Sequence, residues 1–169
     1  MKVLVSYASK HGSTAEIAQR LGGWLGAALA ASDPGSEVDV RAAEEVDDLA
    51  GYDAVVLGSA IYAGHWLEPA THLVETHGGI LSSVPVWVFS SGPVGDPPEP
   101  HEEPAEVEGV LMSIGPRDHR LFPGALDRHR LGWGERAMVA ALRAPEGDFR
   151  DWDAIEAWAG EIATAPKGT

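Results

Sequence analysis

Two short runs, residues 54–58 and 84–90, are apolar at nearly every position. A strand that alternates apolar and polar residues has one wet face. A strand without alternation is buried on both faces, as in the middle of a parallel sheet. Parallel neighbours cannot be joined by a hairpin; they need a crossover, usually a helix, that packs back on the sheet. The rest of the chain has to supply such helices, and it does.

The first strand is 2–7. Segment 37–41 alternates Glu, Val, Asp, Val, Arg, which suits an edge strand, and 119–122 is a weaker fifth candidate. A helix over 13–31 puts Ile17, Leu21, Trp24, Leu25, Ala28 and Leu29 on one stripe. Further helices are expected at 67–77, 103–114 and 151–164. The one at 103–114 has Pro104 and glutamates in its first turn, where the helix dipole favours them. The pattern is that of one α/β domain over 1–169, with an open, doubly wound, five-stranded parallel sheet in the order 2-1-3-4-5. Ligands of such sheets bind at the carboxyl ends of the strands, where the winding reverses. An insertion, 123–148, separates the fifth strand from the last helix. It holds 128–131, Trp133 and a short helical stretch at 135–143.

The 169 residues are 44% hydrophobic and 22% charged, as in a soluble globular chain. No run approaches the ~18 apolar residues of a membrane span. The opening MKVLVSYAS is already a strand and lacks a small-residue cleavage site, so no signal peptide is expected and the expected location is the cytoplasm. Zero cysteines exclude a disulfide frame, a thiolate metal site and a cysteine nucleophile; no metal is expected. A net charge of −14 argues against nucleic acid as a partner. Within that acidity, six of nine arginines (117, 120, 128, 130, 136 and 143) fall in 117–143 against Asp118, Asp127 and Glu135, a local +3. This is either a solvated segment or a basic island that meets an anionic substrate or partner.

The first strand runs straight into Ser9-Lys10-His11-Gly12-Ser13-Thr14 and then into a helix. Orphan backbone N–H groups, the positive helix end and several hydroxyls converge there, which makes the loop a candidate phosphate site. Spacing removes several phosphate ligands. Neither G-x-x-x-x-G-K-[ST] nor G-x-G-x-x-G follows strand one, so P-loop and dinucleotide fingerprints are absent. A phosphoacceptor domain of the same sheet order needs acids at the strand ends, where this chain has Gly58-Ser59. No G-x-S-x-G elbow supports Ser-His-Asp hydrolysis. Two further loops, 58–66 and 90–96, follow strands three and four. Their small residues, Gly64 among them, let backbone approach a flat ring closely.

Through these three loops the chain resembles the flavodoxin family, whose phosphate loop follows the pattern Thr/Ser-x-Thr/Ser-Gly-x-Thr. Ser9, Gly12 and Thr14 match it, and His11 replaces the third hydroxyl. The resemblance implies a flavodoxin-like fold with FMN as cofactor. It implies that Ser9, Lys10, His11, Gly12, Ser13 and Thr14 wrap the phosphate. Around the ring it implies Ala60, Ile61, Tyr62, Ala63, Gly64 and His65 on one side, and Ser91, Gly92, Pro93, Val94, Gly95 and Asp96 on the other.

Within the family the chain is most similar to the FMN- and menaquinone-dependent protoporphyrinogen oxidase branch. The likeness rests on Gly58, Ile61, Gly64, His65 and Trp66, on the insertion, and on the helix start Arg150-Asp151-Trp152-Asp153. That branch carries a long apolar and basic helix in its insertion. Here 134–144 offers Met138, Val139 and Leu142, too little apolar surface for a stable membrane anchor. The resemblance implies an FMN-dependent oxidoreductase acting on a protoporphyrinogen-like or other small organic substrate, with a quinone-type acceptor. The alternative is an electron carrier for a basic redox partner protein, which the acidic surface favours. A flavin-free interaction module is a third reading, and a homodimer is compatible with each.

Segment 90–98 has no aromatic residue, whereas carriers of this family cover both ring faces with aromatics; an open face suits an enzyme. His65 is the candidate catalytic residue, through a hydrogen bond to the flavin or a proton relay, against a structural role in its turn. Tyr62 is expected at the ring or in the loop. Trp24, Trp87 and Trp158 are expected in the core, Trp66 at a helix start, and Trp133 either as a lid aromatic or at the surface.

Overall fold

The computed structural model describes residues 1–92 and 105–166, apart from the side chain of Ala105. Its strands are β1 (Lys2–Ala8), β2 (Glu37–Ala42), β3 (Ala54–Tyr62), β4 (His65–Trp66), β5 (Val86–Ser91), β6 (Asp118–Phe122), β7 (Ala125–Leu126) and β8 (Gly147–Asp148). Its helices are α1 (Ser13–Ser32), α2 (Glu68–Leu81), α3 (Ala105–Ile114), α4 (Trp133–Ala141) and α5 (Trp152–Thr164). The main sheet runs β2-β1-β3-β5-β6, all parallel. With the two-residue β4 set aside, this is the expected order 2-1-3-4-5.

Alternation along each strand splits the core into two layers. Val3, Val5, Val56, Trp87 and Phe89 face α1 and α5, where Ile17, Leu21, Leu25, Ile155, Trp158 and Ile162 meet them. Leu4, Val55, Leu57, Val86 and Val88 face α2 and α3, against Leu73, Leu81, Val107 and Ile114. Central strands are apolar at most positions because both faces are covered. Trp158 and Trp87 are buried in the first layer and Trp24 packs against it, as their spacing predicts. Registers Ala8↔Ser59 and Ser59↔Ser90 bring the carboxyl ends of β1, β3 and β5 level.

The structure departs from the expected elements in three places. The third strand does not open into a loop at Gly58. It continues through Tyr62 and returns as β4, pairing Ile61 with Trp66 and Tyr62 with His65. The two turn residues, Ala63 and Gly64, have φ of 50° and 82°, the signature of a type I′ hairpin. Gly64 therefore serves a tight turn, with open space around it. Trp66 lies in β4 rather than at a helix start, buried, its indole N–H donating to Ser90 Oγ at 2.9 Å. The second helix continues past residue 77, kinking at His77 before reaching Leu81. Gly78 and Gly79, poor helix formers, hid that last turn. In the insertion, β7 and β8 pair antiparallel to form a short ribbon that periodicity over two residues could not signal.

Candidate functional site

A cavity of about 330 Å³ opens at the carboxyl ends of β1, β3 and β5. Its wall includes Ser9, Lys10, His11, Ser13 and Thr14, then Ala60, Ile61, Tyr62, Ala63 and Gly64, then Ser91 and Gly92. These are residues of all three loops singled out in the sequence. Pro93, Val94, Gly95 and Asp96 lie outside the described residues.

The first loop runs from the end of β1 into the start of α1. Gly12, at φ +90°, precedes α1, and its N–H receives no helical partner but donates to Ser9 Oγ at 3.1 Å. Ser13 Oγ accepts from the Ala125 N–H at 3.2 Å, and Arg130 Nη1 donates to the His11 carbonyl at 3.1 Å, so the insertion braces the loop from outside. Thr14 and Ser91 are each only 2% exposed and both line the cavity. Neither hydroxyl has a side-chain hydrogen bond among the described residues.

Space at the far wall is controlled by glycines. A Cβ on Gly92 would stand 3.1 Å from the Ile61 carbonyl, and one on Gly124 would stand 3.3 Å from the Gly92 Cα. The bare backbone there lets the end of β5, the hairpin and the start of the insertion converge, and a Cβ at either glycine would press its neighbour by a few tenths of an ångström.

The insertion supplies a wall that sequence reasoning missed. Leu131, Glu135, Met138, Val139 and Leu142 line the cavity from α4 and its flanks. The signal was present as apolar residues spaced 131, 138, 139 and 142, which share a face with Glu135. Trp133, on the other face, is 90% exposed and is no lid aromatic.

Glu135 is the polar hub of this wall. Its Oε1 accepts from Tyr62 OH at 2.7 Å, Lys10 Nζ at 2.9 Å and His11 Nε2 at 3.1 Å. Its Oε2 accepts from the Gly132 N–H at 2.8 Å, capping the start of α4. The Lys10 ammonium also sits 3.6 Å from the Tyr62 ring centroid. Hydrogen bonds from Lys10, Tyr62 and the Gly132 N–H hold the Glu135 carboxyl far below the usual carboxylate range. Glu135 and then Tyr62 in turn raise the Lys10 pKa.

His65 is not brought to the cavity. Across the tight turn Trp66 points inward and His65 outward, as neighbours on a strand must. The His65 ring is exposed and bonds Glu106 of α3 through Nδ1. The arginine-rich segment also disperses, and none of its six arginines lines the cavity. Arg117 caps the Pro166 carbonyl and lies over Trp87; Arg120 pairs with Asp118 and Glu161. Arg128 pairs with Glu146, and Arg136 donates to the Arg128 and Leu131 carbonyls.

The helix start at 150–153 is architectural. Arg150, with its side chain 9% exposed, donates to Glu16 at 2.6 Å and through Nε and Nη2 to Asp148 at 2.8 and 2.6 Å. It thereby ties the ribbon to the first turn of α1. Asp151 caps α5 by accepting from the Ala154 N–H, and Trp152 packs against Arg20, Arg150 and Trp24. Among the described residues no helix is long and apolar enough to cross a membrane.

Comparison with known proteins agrees with this architecture. Flavodoxin 1 from Bacillus cereus superposes with a TM-score of 0.62 at 14% identity, over 98% of this chain and 100% of that one. A two-electron reduced flavodoxin from Megasphaera elsdenii gives 0.60 at 18%, over 96% and 99%. A flavodiiron core from Synechocystis sp. PCC6803 gives 0.59 at 17%, over 97% of this chain and 34% of that one. At such identities the likeness is one of fold. No curated protein matches the chain by sequence. A family model described as flavodoxin domain matches residues 4–153, nearly the whole chain, and the chain therefore belongs to the flavodoxin domain family.

Proposed function

We propose that this chain binds FMN in the cavity at the ends of β1, β3 and β5, and works as a redox protein through it. Family membership supports the reading, and so does the chemistry of the wall. Ser9–Thr14 would hold the phosphate with backbone N–H groups, the Ser9 and Thr14 hydroxyls and Lys10. Tyr62, Ile61 and the bare backbone at Gly92 would flank the ring, with the Ser91 hydroxyl within the same wall. When bound, FMN supplies one- or two-electron chemistry that no side chain provides. The protein's part is to bind it, exclude water and control what reaches it.

The observation that carries the finer reading is α4. The aliphatic wall of Leu131, Met138, Val139 and Leu142 lies over the cavity where a carrier would leave its cofactor edge open to a partner. Access governed by an insertion suits an oxidoreductase acting on a small organic molecule with a quinone-type acceptor. A protoporphyrinogen-like substrate draws support only from the sequence likeness, because the arginines that would pair with its carboxylates do not converge on the cavity. The carrier reading keeps its own support in the −14 net charge, which would attract a basic partner.

Titrating ligand-free protein with FMN, followed by flavin fluorescence, tests the cofactor; no saturable binding overturns the reading. Reduced small organic donors, protoporphyrinogen among them, should then bleach the bound flavin under anaerobic conditions faster than they react with free FMN. Equal rates, with rapid oxidation by a basic redox protein instead, would favour the carrier.

A further inference from the structure

Resting on the FMN reading, we propose that Glu135 latches α4 over the cavity and that a phosphate monoester entering the loop at Ser9–Thr14 releases the latch. One carboxylate oxygen gathers Tyr62, Lys10 and His11, which belong to two separate loops of the cavity wall. The other oxygen caps the first turn of α4 through the Gly132 N–H. Glu135 thus both starts the helix and ties it down.

Little else holds α4 in place. Of its nine residues only Val139 is buried. Arg136 bonds carbonyls at Arg128 and Leu131, within the insertion itself. A helix this short is marginal on its own in water, so its position depends on those few attachments. The cavity beneath it, about 330 Å³, is near the small end of ligand sites, which run from roughly 300 to 1,000 Å³.

Lys10 and His11 are also members of the phosphate loop. A phosphate monoester draws on the same donors, and two anions around one ammonium repel each other. The closed latch and the filled loop therefore oppose one another. By linkage, whatever the latch costs the phosphate in affinity, the phosphate costs the latch in closure. Release also frees the Tyr62 hydroxyl from Glu135, so the hairpin and α4 separate together.

Amide hydrogen exchange over 133–141 in ligand-free protein, with inorganic phosphate, FMN or riboflavin added, decides the matter. Exchange should accelerate with phosphate and FMN and change little with riboflavin, which lacks the phosphate. Glu135→Gln should exchange fast from the start and bind inorganic phosphate at least about fivefold more tightly. Lys10→Met should also loosen α4 while weakening phosphate binding, which separates the latch from a general effect of charge. Unchanged exchange in saturating phosphate, equal acceleration by riboflavin, or weaker phosphate binding by Glu135→Gln each overturns the proposal. Failure to bind FMN would overturn the functional reading, while the phosphate measurements would still judge the latch.

Discussion

The ring of Phe89 occupies the place where a side chain on Gly58 would stand: a Cβ there would meet Cζ at 2.0 Å and Cε1 at 2.2 Å. The two residues are register partners on neighbouring central strands. Phe89 is itself held by Phe122 and Trp158, with ring centroids 6.1 and 6.2 Å away. Gly58→Ala should therefore displace a packed aromatic cluster and destabilise the fold by about 2–3 kcal/mol, the scale of an overpacked core. Urea unfolding measures it. A loss within experimental error would mean that the ring can turn aside.

Arg150 spans Glu16 and Asp148, joining the base of the insertion to α1. Its two partners are half exposed, so water screens part of their attraction. Arg150→Met should cost about 1–2 kcal/mol, chiefly by stranding the hydrogen bonds of its fork. Arg150→Lys should recover only part of this, since an ammonium cannot serve both carboxylates in the same plane. Equal stability of the lysine variant and the parent would refute the fork argument.

Ser6 is fully buried in β1, and its hydroxyl has no partner among the described residues. Ser6→Ala should raise stability by up to about 1 kcal/mol, because a desolvated, unpaired hydroxyl is removed. A destabilised alanine variant in thermal or urea unfolding would show that the hydroxyl is satisfied in solution.

The Asp148 carboxyl is held below its ordinary range, first by hydrogen bonds from Arg150 and against the opposing effect of burial. A carboxylate whose pKa falls on folding contributes stability that is fully present above its unfolded pKa, near ~4. That contribution is lost as pH drops through the lower folded value. Asp148→Asn should therefore be less stable than the parent at neutral pH, and the gap should close as pH falls below about 4. Unfolding midpoints across pH give the comparison; a gap that persists unchanged into strong acid would refute it.

Much of the sheet was legible because central strands and amphipathic helices write their burial directly into the order of residues. Val3, Leu4 and Val5 declare a strand buried on both sides, and the stripe from Ile17 to Leu29 declares the helix that covers it. The loop at Ser9–Thr14 was legible for a local reason: strand, small polar loop and helix follow one another without interruption. What escaped depended on contacts between distant segments. The turn at Ala63-Gly64 and the two-residue β7 and β8 are too short for any period to register. Glu135 meets Lys10 and Tyr62 from the far side of the chain, and its place in the cavity wall follows only from where α4 lands. The sides of Trp66 and His65 depend on one position of strand alternation in a two-residue strand, which sends Trp66 inward and His65 out.

The ribbon of β7 and β8 has a consequence for how such a chain can vary. Chain entry and exit of the insertion are tied into one neck by the β7–β8 pairing and by the Phe149 N–H, which donates to the Gly124 carbonyl at 3.0 Å. The segment from Asp127 to Glu146 leaves the sheet at that neck and meets the body again only through side chains, Arg130 on the His11 carbonyl and Glu135 on Lys10, His11 and Tyr62 among them, while the strands are held by their own pairing. The segment is thus a replaceable cassette. Its length and side chains can be exchanged without re-registering a single strand, so new chemistry over the cavity can arise by rewriting about twenty residues, as surface loops on rigid scaffolds allow.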